Sequence, residues 1–216
     1  YQYTAPRLSL GVNLYYMKYK DQLVPTGMVN DDSNALNTNV PDSYRRGVEL
    51  SASWRATGWF TVGANATFSQ NRIENYVDAL KDSPTYGKEL GDMTIAYSPD
   101  VIANAFLNFH HRGFEAVFHT QHVGKQYFTN NENDALSLDA YCVTNLNLAY
   151  TFRTRSARSV RLGLLINNLF NAEYESNGYG YSYMDTWSGP APVRIDEAYY
   201  FPQAPLNVLA NVTVKF

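Results

Sequence analysis

The chain has 216 residues, 15% of them aromatic and only 17% charged, whereas soluble domains carry roughly 25% charge. A net charge of −3 gives no footing for nucleic acid, and Cys142, the single cysteine, excludes an intrachain disulfide or a cysteine metal site. Mean hydropathy is −0.36, and no run approaches the ~18 apolar residues of a membrane-spanning helix.

The chain opens at Tyr1 without Met, signal peptide or basic leader, and reads as processed or excised. Tyr1 to Thr4 reads as the tail of a strand, and a less regular strand covers about 7–24. A long connection over 25–43 follows; its Asp31-Asp32 pair reads as a solvated acidic loop in preference to a calcium site. Residues 47–55 alternate cleanly, with Val48, Leu50, Ala52 and Trp54 opposite Gly47, Glu49, Ser51, Ser53 and Arg55. After a short turn at 55–58, residues 61–69 set Val62, Ala64, Ala66 and Phe68 against Thr61, Gly63, Asn65, Thr67 and Ser69. The connection over 71–99 is long, and strands are expected at 100–110 and 114–127 with a short turn at 110–113. His119 and His122 lie three apart on such a strand and face opposite sides, so one ion cannot use both. His110 and His111 fail in the same way and fall in the turn. Beyond a connection at 128–138, residues 138–152 place Leu138, Ala140, Cys142, Leu146, Leu148, Tyr150 and Phe152 on one face. A short turn at 152–159 leads to Val160, Leu162, Leu164 and Ile166, which alternate with Arg161, Gly163 and Leu165. The longest connection, 171–204, precedes a last strand at 206–216.

Eight strands and part of a ninth, with no amphipathic helix, define an all-β chain. Short and long connections alternate strictly, as in membrane barrels with tight turns at one rim and long loops at the other. Acidic residues gather in or beside the long connections, while Arg7, Arg55, Arg112, Arg153, Arg155, Arg158, Arg161 and Lys215 mark the short-turn side. The polar faces are rich in Asn, Ser, Gly and Thr and poor in charge, which suits a wide interior better than the outside of a soluble sandwich. Aromatics collect at strand ends: Trp54, Trp59, Phe60, Tyr150, Phe152 and Phe216 at the short-turn rim, Tyr15, Tyr16, Tyr19, Tyr127 and Phe128 towards the other. The expected fold is an antiparallel transmembrane β-barrel. Two alternatives are a complete eight-stranded barrel with a structural or adhesion role, whose narrow interior would have to pack its many Asn side chains, and, more weakly, a soluble propeller.

The segment Asn167-Asn168-Leu169-Phe170-Asn171-Ala172-Glu173-Tyr174 resembles the NLFD-x-x-Y box of TonB-dependent outer-membrane receptors, with Asn171 where Asp is commoner. Arg46-Gly47-Val48-Glu49-Leu50 resembles a strand start of the same barrels. The last strand, with Val208, Ala210, Val212, Val214 and the terminal Phe216 in one phase, resembles their C-terminal assembly signal. This resemblance implies a 22-stranded barrel of the Gram-negative outer membrane, crossing it many times, of which residues 1–216 form the last eight or so strands. It implies an N-terminal plug domain absent from this chain, through which the TonB complex acts, and contact with outer-membrane lipid and the assembly machinery. The activity implied is active uptake of a scarce, bulky ligand: a ferric siderophore, haem, cobalamin or a glycan.

Within the longest connection, Tyr179, Tyr181, Tyr183 and Trp187 are the candidate ligand contacts, able to stack on an aromatic or sugar ligand. Packing against neighbouring loops is the favoured alternative for them. Phosphate binding has no support, since no Gly-rich loop opens a helix. No catalytic set, metal site or cofactor is expected.

Overall fold

The structure is a computed structural model that describes residues 1–30 and 34–216; Asp31 and Asp32 lie outside the described residues. Fourteen strands follow in order: β1 (Gln2–Ala5), β2 (Leu8–Val29), β3 (Ala35–Arg55), β4 (Phe60–Ile73), β5 (Met93–Thr94), β6 (Val101–His111), β7 (Phe114–Val123), β8 (Gln126–Tyr127), β9 (Ser137–Leu138), β10 (Tyr141–Phe152), β11 (Ser159–Asn167), β12 (Glu175–Asp185), β13 (Val193–Pro202) and β14 (Asn207–Lys215). Asp134–Leu136 form one 3-10 turn. No helix among the described residues is long and apolar enough to cross a membrane.

The main sheet runs β1-β2-β3-β4-β6-β7-β10-β11-β14, all antiparallel, with β5 added to β4. It is an open arc: β1 and β14 are its two edges and do not pair among the described residues. The expected eight strands and the tail of a ninth are all present. An eight-stranded closed barrel is not what this sheet forms.

Register explains why the two faces differ. One row across the nine strands reads Ala5, Leu8, Trp54, Val62, Leu107, Phe118, Leu146, Ile166, Val208, apolar at every position. Because side chains alternate, a shift of one residue in any pair would break that row. The opposite face is polar and bonded laterally: Asn13 Nδ2 donates to Glu49 (3.0 Å), Asn104 Nδ2 to Asn65 (3.2 Å) and Asn167 Nδ2 to Asn207 (2.9 Å). Arg161 grips Glu115 with two parallel bonds of 2.9 and 2.7 Å, tying β11 to β7 across β10 near the short turns.

The apolar face has no cover. Leu14 is 72% exposed and Val212 67%. The hydrophobic clusters lie in the loops instead, Val24, Val40, Ile73, Tyr76 and Ile95 in one and Phe128, Leu136 and Leu138 in another. A soluble protein would invert this arrangement, since a bare apolar surface of this extent demands a partner.

Tight connections close the other end. Arg112 and Gly113, at φ 49° and 86°, form the two-residue turn between β6 and β7, so His110 and His111 end a strand and do not lie in the turn. The Gly113 position has no room for a Cβ, which would sit 2.3 Å from the Thr151 carbonyl.

Two long connections are more ordered than the sequence suggests. The described residues of 25–43 are largely strand, because β2 and β3 stay paired out to Val29–Ala35. At ~3.3 Å per residue β2 spans roughly 70 Å, while a tilted membrane strand needs only about 9–11 residues. The β2–β3 hairpin therefore projects well beyond any bilayer. Residues 171–204 hold the separate hairpin β12–β13.

Candidate functional site

The long loops form a crown, and the connection at 128–138 is its keystone. Asn130, fully buried, accepts the Ala96 N–H (2.7 Å) and donates to the Pro25 carbonyl, so it holds β2 and the segment after β5 together. Glu132 pairs with Arg72 and accepts the Thr94 N–H (3.0 Å) and hydroxyl. Partial burial works against its charge, but the bonds from Thr94 and Arg72 outweigh that and hold its carboxyl below the usual range. Phe128 packs tilted on Tyr97 and on Tyr200, bringing β13 to the same loop.

The hairpin β12–β13 docks through its small residues. A Cβ on Gly178 would stand 2.7 Å from the Phe128 ring and one on Gly180 2.9 Å from Leu136, so only glycine permits this approach. Alternation then turns Tyr179, Tyr181, Tyr183, Glu197, Tyr199 and Phe201 to the other side. Tyr179 stacks on Tyr199 at 4.9 Å and 14°, Tyr181 lies 6.4 Å from both Tyr199 and Tyr183, and Trp187 runs parallel to Tyr183 at 6.5 Å and 8°. Three phenols donate to one carboxylate: Tyr181 at 2.7 Å, Tyr199 at 2.8 Å and Tyr183 at 3.2 Å from Glu197. The bonds from Tyr181 and Tyr199, with a weaker one from Tyr183, hold the Glu197 carboxyl below its ordinary value; the same bond to Glu197 pushes the Tyr181 phenol up. Trp187 is 75% exposed at the hairpin tip, where the Asp185 carboxylate accepts the N–H groups of Trp187 and Ser188.

Packing on a neighbouring loop therefore accounts for the glycines of this run but not for its rings. The glycines do the packing on a neighbouring loop, and the aromatic rings are left on the free side. Glu197 was not singled out from sequence; its place among alternating Ile195, Tyr199 and Phe201 is the signal that could have found it.

The box at 167–174 is a turn at the long-loop end of β11. Asn168 adopts φ 51° and Asn171 φ 52°, a left-handed conformation that Asn tolerates. The Asn168 side chain, 3% exposed, accepts the Ala172 N–H (2.8 Å) and donates to the carbonyls of Ala172 (2.9 Å) and Ala204 (3.2 Å). Its own N–H reaches Asn145 on β10, and the Leu169 N–H reaches the Thr144 carbonyl. Asn171 accepts the Leu206 N–H at 2.9 Å. That bond needs only an acceptor, which an Asp carboxylate would also supply. Tyr174 stacks on Tyr141 at 4.7 Å, and Phe170 stands 75% exposed. The box is a staple joining β10, β11 and the start of β14.

On β14, Val208, Val212 and Val214 are exposed on the apolar side of the free edge, in phase with Ala210, and Phe216, just past the strand, is exposed as well. His119 and His122 fall on opposite faces, paired with Asn145 and Cys142 respectively. Three aromatics expected in the outer girdle are elsewhere: Tyr19 shares the polar face of β2 with Asn13 and Met17. Phe128 is buried in the crown, and Tyr15 lies on the polar face over Gly47.

Solved structures share this arc. It superposes on the ferric yersiniabactin uptake receptor FyuA of Yersinia pestis with a TM-score of 0.67 at 18% identity, over 100% of this chain and 28% of that one. It superposes on the ferric-catecholate import receptor Fiu of E. coli K12 with 0.61 at 18% identity, over 95% and 25%. The copper transporter OprC gives 0.65 at 20% identity, over 98% and 29%. The chain thus spans less than a third of the length of each of these proteins, and the likeness establishes the fold. The family model for the TonB-dependent receptor-like β-barrel matches residues 1–169, covering most of the nine-stranded sheet. Its members are outer-membrane β-barrels with transport and receptor roles, and this chain belongs to that family.

Proposed function

We propose that residues 1–216 are the C-terminal part of the barrel of a TonB-dependent importer that takes up a bulky ligand across the outer membrane. The observation that carries this reading is the open nine-stranded arc, apolar and bare on one face, polar on the other, with its core in the loops. The named neighbours take up a ferric siderophore, a ferric catecholate and copper, which supports a metal chelate as cargo while leaving haem, cobalamin or a glycan within the same class. In this reading Phe216 ends at the periplasmic rim and β14 closes on a first strand supplied by the rest of the polypeptide. Val208, Ala210, Val212, Val214 and Phe216 are presented to the assembly machinery, and the plug, lodged against the polar face, is pulled by the TonB complex. The crown then faces outward, and Tyr179, Tyr181, Tyr183 and Trp187 meet the ligand.

Deleting the gene in its host and supplying candidate ligands as the sole source of metal or carbon tests this. One ligand should fail to support growth in the deletant, be rescued by the intact gene, and again fail when the TonB complex is removed. Uptake that does not need the TonB complex would contradict the reading.

A further inference from the structure

We infer that the outer face of the β12–β13 hairpin recognises a positively charged ring-bearing group on the ligand; this rests on the proposed role of the hairpin as a ligand contact. Glu197 sits centrally among Tyr181, Tyr183 and Tyr199, and among the described residues it forms no ion pair. Its negative charge is met by phenol hydrogens alone. Those three hydrogens are thereby used up, so the phenol oxygens present only lone pairs to an incoming group. Around them stand the faces of Tyr179, Tyr181, Tyr183 and Trp187, each with the negative quadrupole of an aromatic ring.

The centre of this surface is thus a carboxylate ringed by spent phenols, and its charge is negative; the Tyr179 hydroxyl and the Trp187 indole N–H are the neutral donors beside it. The complement is a cation that also stacks, held by cation–π attraction and by the carboxylate. Arg194, the single basic residue of the hairpin, is engaged elsewhere, with Nε donating to Asp196 (2.9 Å) and Nη2 to the Ser182 hydroxyl (3.0 Å). Ser182 lies on the docking side with Gly178 and Gly180, so the guanidinium does not relieve the charge of Glu197. The flanking sequence adds Glu173, Glu175 and Asp185, which makes the approach acidic. An anionic chelate meets the Glu197 carboxylate here, with only the neutral Tyr179 and Trp187 donors to offset the repulsion.

The test uses the intact receptor in detergent, titrated with benzyltrimethylammonium, benzenesulfonate and methyl β-glucoside, with binding followed by saturation-transfer NMR of each probe. The cation is expected to bind at least tenfold more tightly than the anion or the glucoside. Glu197→Gln is expected to weaken cation binding at least fivefold and Trp187→Phe to weaken it less, whereas Ser182→Ala on the docking side leaves it unchanged. Proteolysis of residues 171–204 reports whether a variant hairpin is still formed, and the preference among probes in the unmodified receptor needs no variant. Equal binding of cation and anion, preference for the glucoside, or cation binding that survives Glu197→Gln unchanged would overturn the inference. TonB-dependent growth fails or succeeds independently: uptake without cation preference sinks only this inference, and cation binding without TonB dependence sinks only the importer role.

Discussion

Replacing Asn168 by Ala tests whether the family box is a structural staple. The substitution removes three hydrogen bonds of a side chain that is 3% exposed and leaves the Ala172 N–H and two carbonyls without those partners. At about 1 kcal/mol net per bond the loss is about 3 kcal/mol. Ala at φ 51° adds about 1 kcal/mol more, because its Cβ disfavours the left-handed region. Gly recovers that last part and loses the bonds alone. Asp keeps the acceptor for the Ala172 N–H but sets a carboxylate against two carbonyl oxygens, and should do no better than Ala. Local opening is read by hydrogen exchange of the Leu169, Ala172 and Leu206 amides in the intact receptor. With about 1.4 kcal/mol per decade, protection should fall close to a thousandfold in Asn168→Ala and roughly a hundredfold in Asn168→Gly. Protection within threefold of the unmodified receptor in the Ala variant, or a Gly variant worse than Ala, would refute the staple.

Three further outcomes follow from the same geometry. Gly178→Ala would push a Cβ to 2.7 Å from both the Phe128 ring and the Tyr199 carbonyl; a cost of about 1–3 kcal/mol should undock the hairpin, seen as faster proteolysis within 171–204. Leu148→Arg on the apolar face should destabilise the folded receptor in lipid vesicles by about 2–4 kcal/mol, whereas Asn147→Arg on the polar face should be nearly neutral by guanidinium unfolding. Because Glu132 is held below its ordinary value of 4.5, its tie to Arg72 and Thr94 persists above that pH and is lost as the pH falls through the lower folded value. Exchange protection of the Thr94 amide should therefore hold at pH 5.5 and drop in more acid solution, and Glu132→Gln should abolish that dependence; loss of protection above pH 6 would count against it.

The strands and their faces were legible because period-2 alternation is local, and antiparallel pairing carries it from strand to strand without further information. The row from Ala5 to Val208 needs only each strand to keep its own phase. Loop interiors were not legible for the same reason. Whether 25–43 extends a hairpin depends on the β2–β3 pairing continuing past Pro25, and whether 128–138 is a keystone depends on Asn130 meeting Pro25, over a hundred positions away. The β12–β13 hairpin was the avoidable miss. Gly178, Gly180 and Ser182 alternate with Tyr179, Tyr181 and Tyr183, a strand pattern in which small residues replace the usual apolar face. The box motif was recognised by its letters, yet its work lies in backbone geometry at Asn168 and Asn171 that letters alone do not display.

The most direct measurement is a spin-label scan along β10, from position 141 to 152, in the intact receptor with Cys142 replaced by Ala as background, reconstituted in lipid bilayers. Collision with oxygen should peak at the even positions, Leu146, Leu148 and Tyr150, and collision with a water-soluble nickel complex at the odd ones, Asn145, Asn147 and Ala149. A period of two in that phase is the expected result; equal access on both faces, or the opposite phase, would contradict a membrane-facing arc.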